Sequence, residues 1–473
     1  MRIRFLALAL GVTFLGACKD ATRPDLNDPS ASDFSKITDL TQVQTLVTGV
    51  LAYDRGAIGT EILRNEIIAR DAYNLPAAEP RWVTELLGPR IDPGGFNGTA
   101  TWPYASIREN NIGIDGVEAA ASNVLSDGQN NGILVFLLTW KAMSFLRAIE
   151  TRDTAGAPIN VDIDPTGPLA PINCKGDVLA YIAAQLDSGY TELTSGDVSF
   201  PFTLPTGFEG FDDPAGFATF NRALAAKVDI YLAFRDYASP DGSIPGTIDA
   251  TWLDAATAAI NASFIDTTAT SQADLNAGPQ FTFSTASGDA TNGLFADPTS
   301  TDLRTNPRVA NDAAPGDQRV ARKVIATANQ TLAGVSSDIT FNIYTTPTTP
   351  ISILTNKELI AMKAEIDWGK GALPQALALA NVLRVHDGGL AASTVTSSQD
   401  VLDEILYEKR YSLLFESPDR WVDARMFGKL NGSNPPVGLG MENNNAPLWS
   451  QPIPQAEADA RNGDLSKASC SVT

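Results

Sequence analysis

The sequence predicts a mostly α-helical body of stacked helix pairs, interrupted once by a loop-rich, partly β insertion. Three observations carry this expectation. Apolar residues recur at helical spacing in runs of about 15–30 residues, and the second helix of a pair is often alanine-rich. Residues 355–389 form a self-contained unit of two helices and a glycine-containing turn, the size of one tetratricopeptide-like repeat. Residues 265–352 break the pattern, being rich in Thr, Ser, Asp, Asn and Gly with short strand-like runs at 280–283 and 338–344.

In chain order, Leu40, Val43, Leu46, Val47, Val50, Leu51, Ile62, Leu63 and Ile67 mark one or two helices over 39–70, with Thr38-Asp39 and Thr41-Gln42 as the candidate caps. Helices are expected at 104–123, 133–150, 177–193, 217–237 and 251–264, the last capped by Thr251. In the 355–389 unit, Leu359, Met362, Ile366 and Trp368 form the first helix. Gly369 and Gly371 break it, and the small Ala376 and Ala380 let the second helix approach closely. Pairing 39–70 with 104–123, 133–150 with 177–193, 217–237 with 251–264, and 356–368 with 373–386 gives about four helix pairs, enough to share a stacked core.

The first 17 residues read as an address rather than as structure. Arg2 and Arg4 supply a positive start, a short apolar run follows, and Leu15-Gly16-Ala17-Cys18 matches a lipobox. The expectation is a lipoprotein signal peptide over 1–17, with lipid attachment at Cys18 and a polar tether over 18–38. A single body then fills 39–473, with its insertion at about 265–352. Several acyl chains at ~0.8 kcal/mol per buried CH₂ make a stable membrane anchor. No later run approaches the length of a membrane span, so the body is expected to be soluble.

The net charge is −21, or −23 once Arg2 and Arg4 leave with the leader. Such acidity argues against nucleic acid as a partner and against electrostatic docking on anionic lipid. Of the three cysteines, Cys174 and Cys470 remain after Cys18. They form either a disulfide tying the C-terminal tail to the body or two separate buried thiols.

Little in the sequence points to covalent chemistry. The lone histidine, His386, falls at a helix C-terminus, where the dipole favours it as a cap. One histidine supports neither a Ser-His-Asp arrangement nor a His-rich metal site, and no phosphate loop or dinucleotide fingerprint occurs. No catalytic residue, cofactor or metal is expected; Asp162 and Asp164 alone are weak calcium ligands. Carboxylates are plentiful, which leaves a paired-carboxylate glycosidase open, though nothing singles out a pair.

Binding has better candidates. The loop over 71–101 is rich in Pro and Gly, yet it holds Tyr73, Trp82 and Phe96, with Asp71, Asn74 and Arg81 among them. Aromatic faces stack on sugar C–H faces or bury peptide side chains, and amide, carboxylate and guanidinium groups serve the polar positions. The alternative is that these rings anchor a long loop to the helices. A basic cluster at Arg304, Arg308, Arg319, Arg322 and Lys323 reads as a local basic patch, a solvated face or a partner contact.

The helix over 399–416 mixes an apolar stripe (Leu402, Ile405, Leu406, Leu413, Leu414) with Glu408, Lys409, Arg410 and Glu416. Two readings stand: charges paired at a helix junction, or an ordinary amphipathic helix. The motif E-K-R-x-x-L-L-x-E over 408–416, followed by D-R-W-x-D-A-R over 419–425, resembles the C-terminal signature of the SusD/RagB family of outer-membrane nutrient-binding lipoproteins. T-x-x-E-L-x-x-M-x-A-E-x-x-W over 355–368 and QPIPQAEADARNG over 451–463 are similar to other parts of that family. Lys409, Ser412 and Ser417 depart from it, standing where Arg, Glu and Gly are usual.

The resemblance implies a cell-surface, outer-membrane lipoprotein that captures an oligosaccharide or peptide. It would deliver this ligand to a SusC/RagA-like TonB-dependent transporter and do no covalent chemistry. It also implies that the insertion helps form the ligand face. The rival readings are a surface glycoside hydrolase and a non-catalytic helical-repeat scaffold for other lipoproteins.

Overall fold

The computed structural model describes residues 31–96, 102–163, 167–430 and 437–467. The body is mostly helical. The first helix, α1 (Leu40–Ile68), is one continuous 29-residue element, capped by the Asp39 carboxylate accepting from the Gln42 backbone N–H at 2.9 Å. The expected loop follows, holding strand β1 (Ala72–Asn74) and the single turn α2 (Arg81–Thr84).

Five helices then run in series: α3 (Trp102–Glu118), α4 (Asp127–Arg152), α5 (Lys175–Ser195), α6 (Pro214–Ala233) and α7 (Ala250–Asn261). From α3 on, each packs on the next, and α1 lies against α3 and α4. Helix α4 starts six residues earlier than its apolar period suggests, because Ser126 and Gln129 close a reciprocal capping box. The cap of α7 is Asp249, not Thr251; the Asp249 carboxylate accepts from the backbone N–H groups of Thr251 and Trp252.

The insertion follows. It holds short helices α8 (Gln272–Leu275), α9 (Pro307–Asn311) and α10 (Gln318–Lys323). Its strands are β2 (Gln280–Phe281), β3 (Leu303–Thr305), β4 (Val324–Leu332), β5 (Val335–Phe341) and β6 (Ile351–Ser352). The strands form three antiparallel pairs: β1 with β3, β2 with β6, and β4 with β5. β4 and β5 meet in a two-residue turn, Ala333–Gly334, with positive φ at both positions.

The helices resume with α11 (Asn356–Gly369), α12 (Leu373–Val382), α13 (Ser398–Ser412), α14 (Asp419–Met426) and the short α15 (Gln455–Ala460). Gly371, at φ +75°, makes the turn from α11 to α12. At Gly369 a Cβ would lie 2.7 Å from the Phe234 ring, so glycine is what lets α11 sit on α6. His386 is exposed in a widened last turn that continues α12 over Leu383–Asp387.

One large core runs through the body, with a small second cluster of Ala269, Leu275, Ile360, Ala361 and Leu383. Trp140, fully buried, packs among Phe136, Phe220 and Phe281 at centroid separations of 5.9–6.1 Å. Phe281 belongs to β2, so the insertion is keyed into the helical core rather than laid over it. A second junction is Phe341 of β5 stacked on Phe415 at 4.0 Å. Contrary to the expectation from run length, α4 is long and apolar enough to cross a membrane; its apolar stretch is almost wholly buried by the neighbouring helices, as a core helix is.

Candidate ligand face and its framework

The C-terminal motif builds the framework. Between the two readings of α13, the structure selects the first: its charges are paired and buried. Arg410 grips Asp71 through Nη2 at 2.5 Å and Nε at 3.1–3.2 Å, and reaches Asp312 at 3.3 Å. Arg420 approaches Asp71 from the other side at 3.7 Å. Lys409 bridges Glu365 at 3.0 Å and Asp423 at 2.9 Å, so a lysine fills the usual arginine position by spanning two carboxylates. Desolvation works against its charge, but Asp423 and Glu365 outweigh that and raise its pKa.

Arg319 lies between Asp317 (2.7 Å) and Glu408 (2.5 Å), and donates to the Ser412 hydroxyl at 3.0 Å. Asp419 meets Lys227 of α6 at 2.6 Å, and Arg425 meets Asp153 at 3.1 Å. The motif therefore ties α1, α4, α6, α11 and the insertion to one junction. The basic cluster of the insertion is not a surface patch: Arg304, Arg319 and Lys323 are buried, the last donating to the carbonyls of Tyr411 and Ser412.

A small cavity of about 40 Å³ lies beside this junction, lined in part by Glu61, Arg147, Glu150, Lys227 and Ser417. Burial pushes Glu61 up to about 7 and Glu150 up to about 8. A groove of about 340 Å³ runs along α1, but its polar groups serve the fold. Gln44 exchanges hydrogen bonds with the Thr203 backbone, and Arg55 holds the Thr282 carbonyl and Asp289.

The six expected ligand residues divide into two groups. Asp71 is the buried partner of Arg410 and is committed to the framework. Tyr73 is 3% exposed, and its hydroxyl donates to Glu442 at 2.8 Å. Neither offers a surface to a ligand, which corrects the expectation for these two. The cause is that β1 is covered on both faces, Ala72 being buried as well as Tyr73. Asn74 is half-buried at the end of β1, opposite Leu303.

Trp82, Phe96 and Arg81 do come together. The Trp82 and Phe96 rings meet edge to face at 5.1 Å and 75°, both half-buried. The Arg81 and Arg64 guanidiniums lie 5.4 and 5.7 Å from the Phe96 centroid, and Arg81 pairs with Glu79 at 2.6 Å. The result is a shelf of two rings steadied by two cations. Arg64 was missed in the sequence because its signal there is only that of one charge on a helix.

Cys174 is disulfide-bonded. Backbone bridging between Ile172 and Lys467 runs the C-terminal segment alongside it, in keeping with the expected partner Cys470, which lies outside the described residues. Cys18 and Asp164 also lie outside them. Asp162 is exposed, and no group of three metal-ligating side chains occurs among the described residues.

No protein-family model matches this chain, and no curated protein matches it. Solved structures do. A SusD superfamily protein of Parabacteroides distasonis is 14% identical, with 90% of this chain and 98% of that chain covered at a TM-score of 0.68. A SusD superfamily protein of Bacteroides fragilis is 13% identical, with the same coverage and a TM-score of 0.67. Surface glycan-binding protein A from Bacteroides uniformis is 13% identical, with 90% and 98% covered at 0.65. The chain is SusD-like in fold, and the resemblance read from its C-terminal motifs is borne out at that level.

Proposed function

We propose that this protein is a lipid-anchored outer-membrane protein of the cell surface that captures oligomeric nutrient, glycan before peptide, and passes it to a SusC/RagA-like TonB-dependent transporter. The observation that carries the reading is the Trp82–Phe96 shelf on a SusD-like body. Half-exposed rings held by cations form a preset stacking surface for sugar C–H faces. Structural neighbours described as a surface glycan-binding protein and a SusD-like carbohydrate-binding protein support glycan as the ligand class.

Trp82, Phe96, Arg81 and Asn74 are the ligand residues in this reading. The lipobox at Cys18 supports the anchor. Capture followed by hand-over needs no covalent step, so the protein is proposed to act without catalysis and without a cofactor. The test is a mild-detergent pull-down of the tagged protein from its native membrane. A stoichiometric large β-barrel partner is the expected outcome. Recovery of the intact lipoprotein alone overturns the delivery step.

A further inference from the structure

An unusual residue stands where α1 ends. Arg70 stands at φ +64°, in the left-handed region that costs a non-glycine residue about 1–2 kcal/mol. It is 1% exposed, yet among the described residues no carboxylate forms an ion pair with it. Its guanidinium donates to the carbonyls of Leu86 at 3.0 Å, Ile68 at 3.4 Å, and Leu87 and Asn445 at 3.5 Å. Burial lowers its pKa to about 10, so it stays charged at neutral pH. A strained, buried cation is thus spent on tying the loop just after Trp82 to the loop around Asn445.

That second loop is a tight turn. Glu442 and Asn445 exchange backbone hydrogen bonds at 3.1 and 2.8 Å, with Asn443 and Asn444 both at positive φ between them. Its other fastenings are just as direct. Glu442 accepts from Tyr73 at 2.8 Å and from Asn306 at 3.2 Å, and the Asn443 amide donates to the Ala333 carbonyl at 2.9 Å. Despite this anchoring, the turn displays Met441 at 62% exposure, the most exposed large apolar side chain among the described residues, and an exposed Asn444. A fixed turn loses little conformational entropy when a ligand arrives.

We propose that the Met441–Asn444 turn is the second wall of the ligand face, and that the face takes a neutral oligosaccharide reaching from the Trp82–Phe96 shelf to this turn. The proposal rests on the capture reading and adds the extent of the site and the class of its ligand. The Met441 thioether is an adaptable apolar surface for a ring's C–H face. The Asn444 amide offers both donor and acceptor to hydroxyls. Acidic sugars are disfavoured because Glu85 stands near the shelf and Glu442 beneath the turn, on a chain of net charge −21. The shelf's arginines are already engaged, Arg81 with Glu79, and Arg64 with the Phe96 ring and carbonyl.

The test is calorimetry on the full soluble body with neutral gluco-, xylo- and manno-oligosaccharides of two and six units, oligogalacturonates of the same lengths, and a tryptic peptide mixture. The wild type is expected to bind a neutral six-unit chain more tightly than its two-unit fragment. Met441→Ala with Asn444→Gly, which removes the amide but accepts the positive φ of position 444, is expected to lose about tenfold on the long chain and nothing on the short one, with a nearly unchanged melting temperature. Wild-type affinity in the double variant overturns the second wall and leaves capture standing. Tighter binding of oligogalacturonate overturns the ligand class. Binding of peptide but no glycan overturns the inference alone, and binding of neither overturns the capture reading with it.

Discussion

The junction under α13 and the shelf at Trp82 are built on opposite principles. At the junction, charges are buried and each is gripped by a partner from a distant segment; Arg410 and Asp71 are 339 residues apart. At the shelf, rings are left half-open and their cations come from near neighbours. Burial makes the junction intolerant of single changes, because removing one partner strands the other in a poor solvent. Exposure makes the shelf tolerant, so its residues can change while the framework stays.

The sharpest way to break the contrast is Arg410→Met. It leaves Asp71 in the interior without its bidentate partner and is expected to cost about 3–5 kcal/mol in urea unfolding. The double change Arg410→Met with Asp71→Leu is expected to cost clearly less. If the single change is harmless, the junction is not the framework it is taken to be here.

The next effect concerns pH. Burial raises Glu61 to about 7, and Glu150 and Glu358 to about 8, around Arg147, Lys227 and Asp419. Folding therefore takes up protons at these sites. Their contribution is complete below about pH 4.5 and is lost as pH rises through 7–8, a decline on the order of a few kcal/mol. Asp153 behaves oppositely: burial pushes it up, but Arg425 and Lys175 outweigh that and hold it at about 2. Its contribution is present above about pH 4 and is lost as pH falls through 2. Urea midpoints at pH 5, 7 and 9 check the first slope, and acid unfolding checks the second.

At the shelf, Trp82→Ala is expected to weaken binding of whatever glycan the wild type retains by tenfold or more, about 1.4 kcal/mol. Unfolding in urea should move less than for Arg410→Met. An unchanged affinity would turn Trp82 back into a loop anchor. The smallest effect is Gly371→Ala, expected to cost about 1 kcal/mol of stability through its φ of +75° and to leave binding unchanged.

The helices were legible because their signals are local. Apolar period, Asp39 as a cap and the two glycines after Trp368 all act within a turn or two of the residue that carries them. What was lost depends on partners far along the chain. Strand β4 was not visible because its turn is Ala-Gly rather than Asn-Gly and its residues are half-exposed on both faces. Asp71 and Tyr73 looked like ligand residues beside Trp82, and only the arrival of Arg410 and Glu442 from the far end of the chain shows them turned inward. The basic run in the insertion misled for a similar reason: Arg319 and Lys323 are drawn inward by Glu408 and Glu416, about 90 residues further on.

The pairing of Asp71 with Arg410 also orders events during synthesis. An N-terminal segment emerging first carries Asp71 with no counter-charge until α13 and α14 have been made, while Asp153 has only Lys175 and Lys227 only Glu150 and Glu358. A chain stopped before about residue 400 keeps most of its helices and lacks what closes them. Such a product should be loose and prone to proteolysis rather than a smaller working protein. The segment after about residue 400 thus acts as a completeness check on the native state.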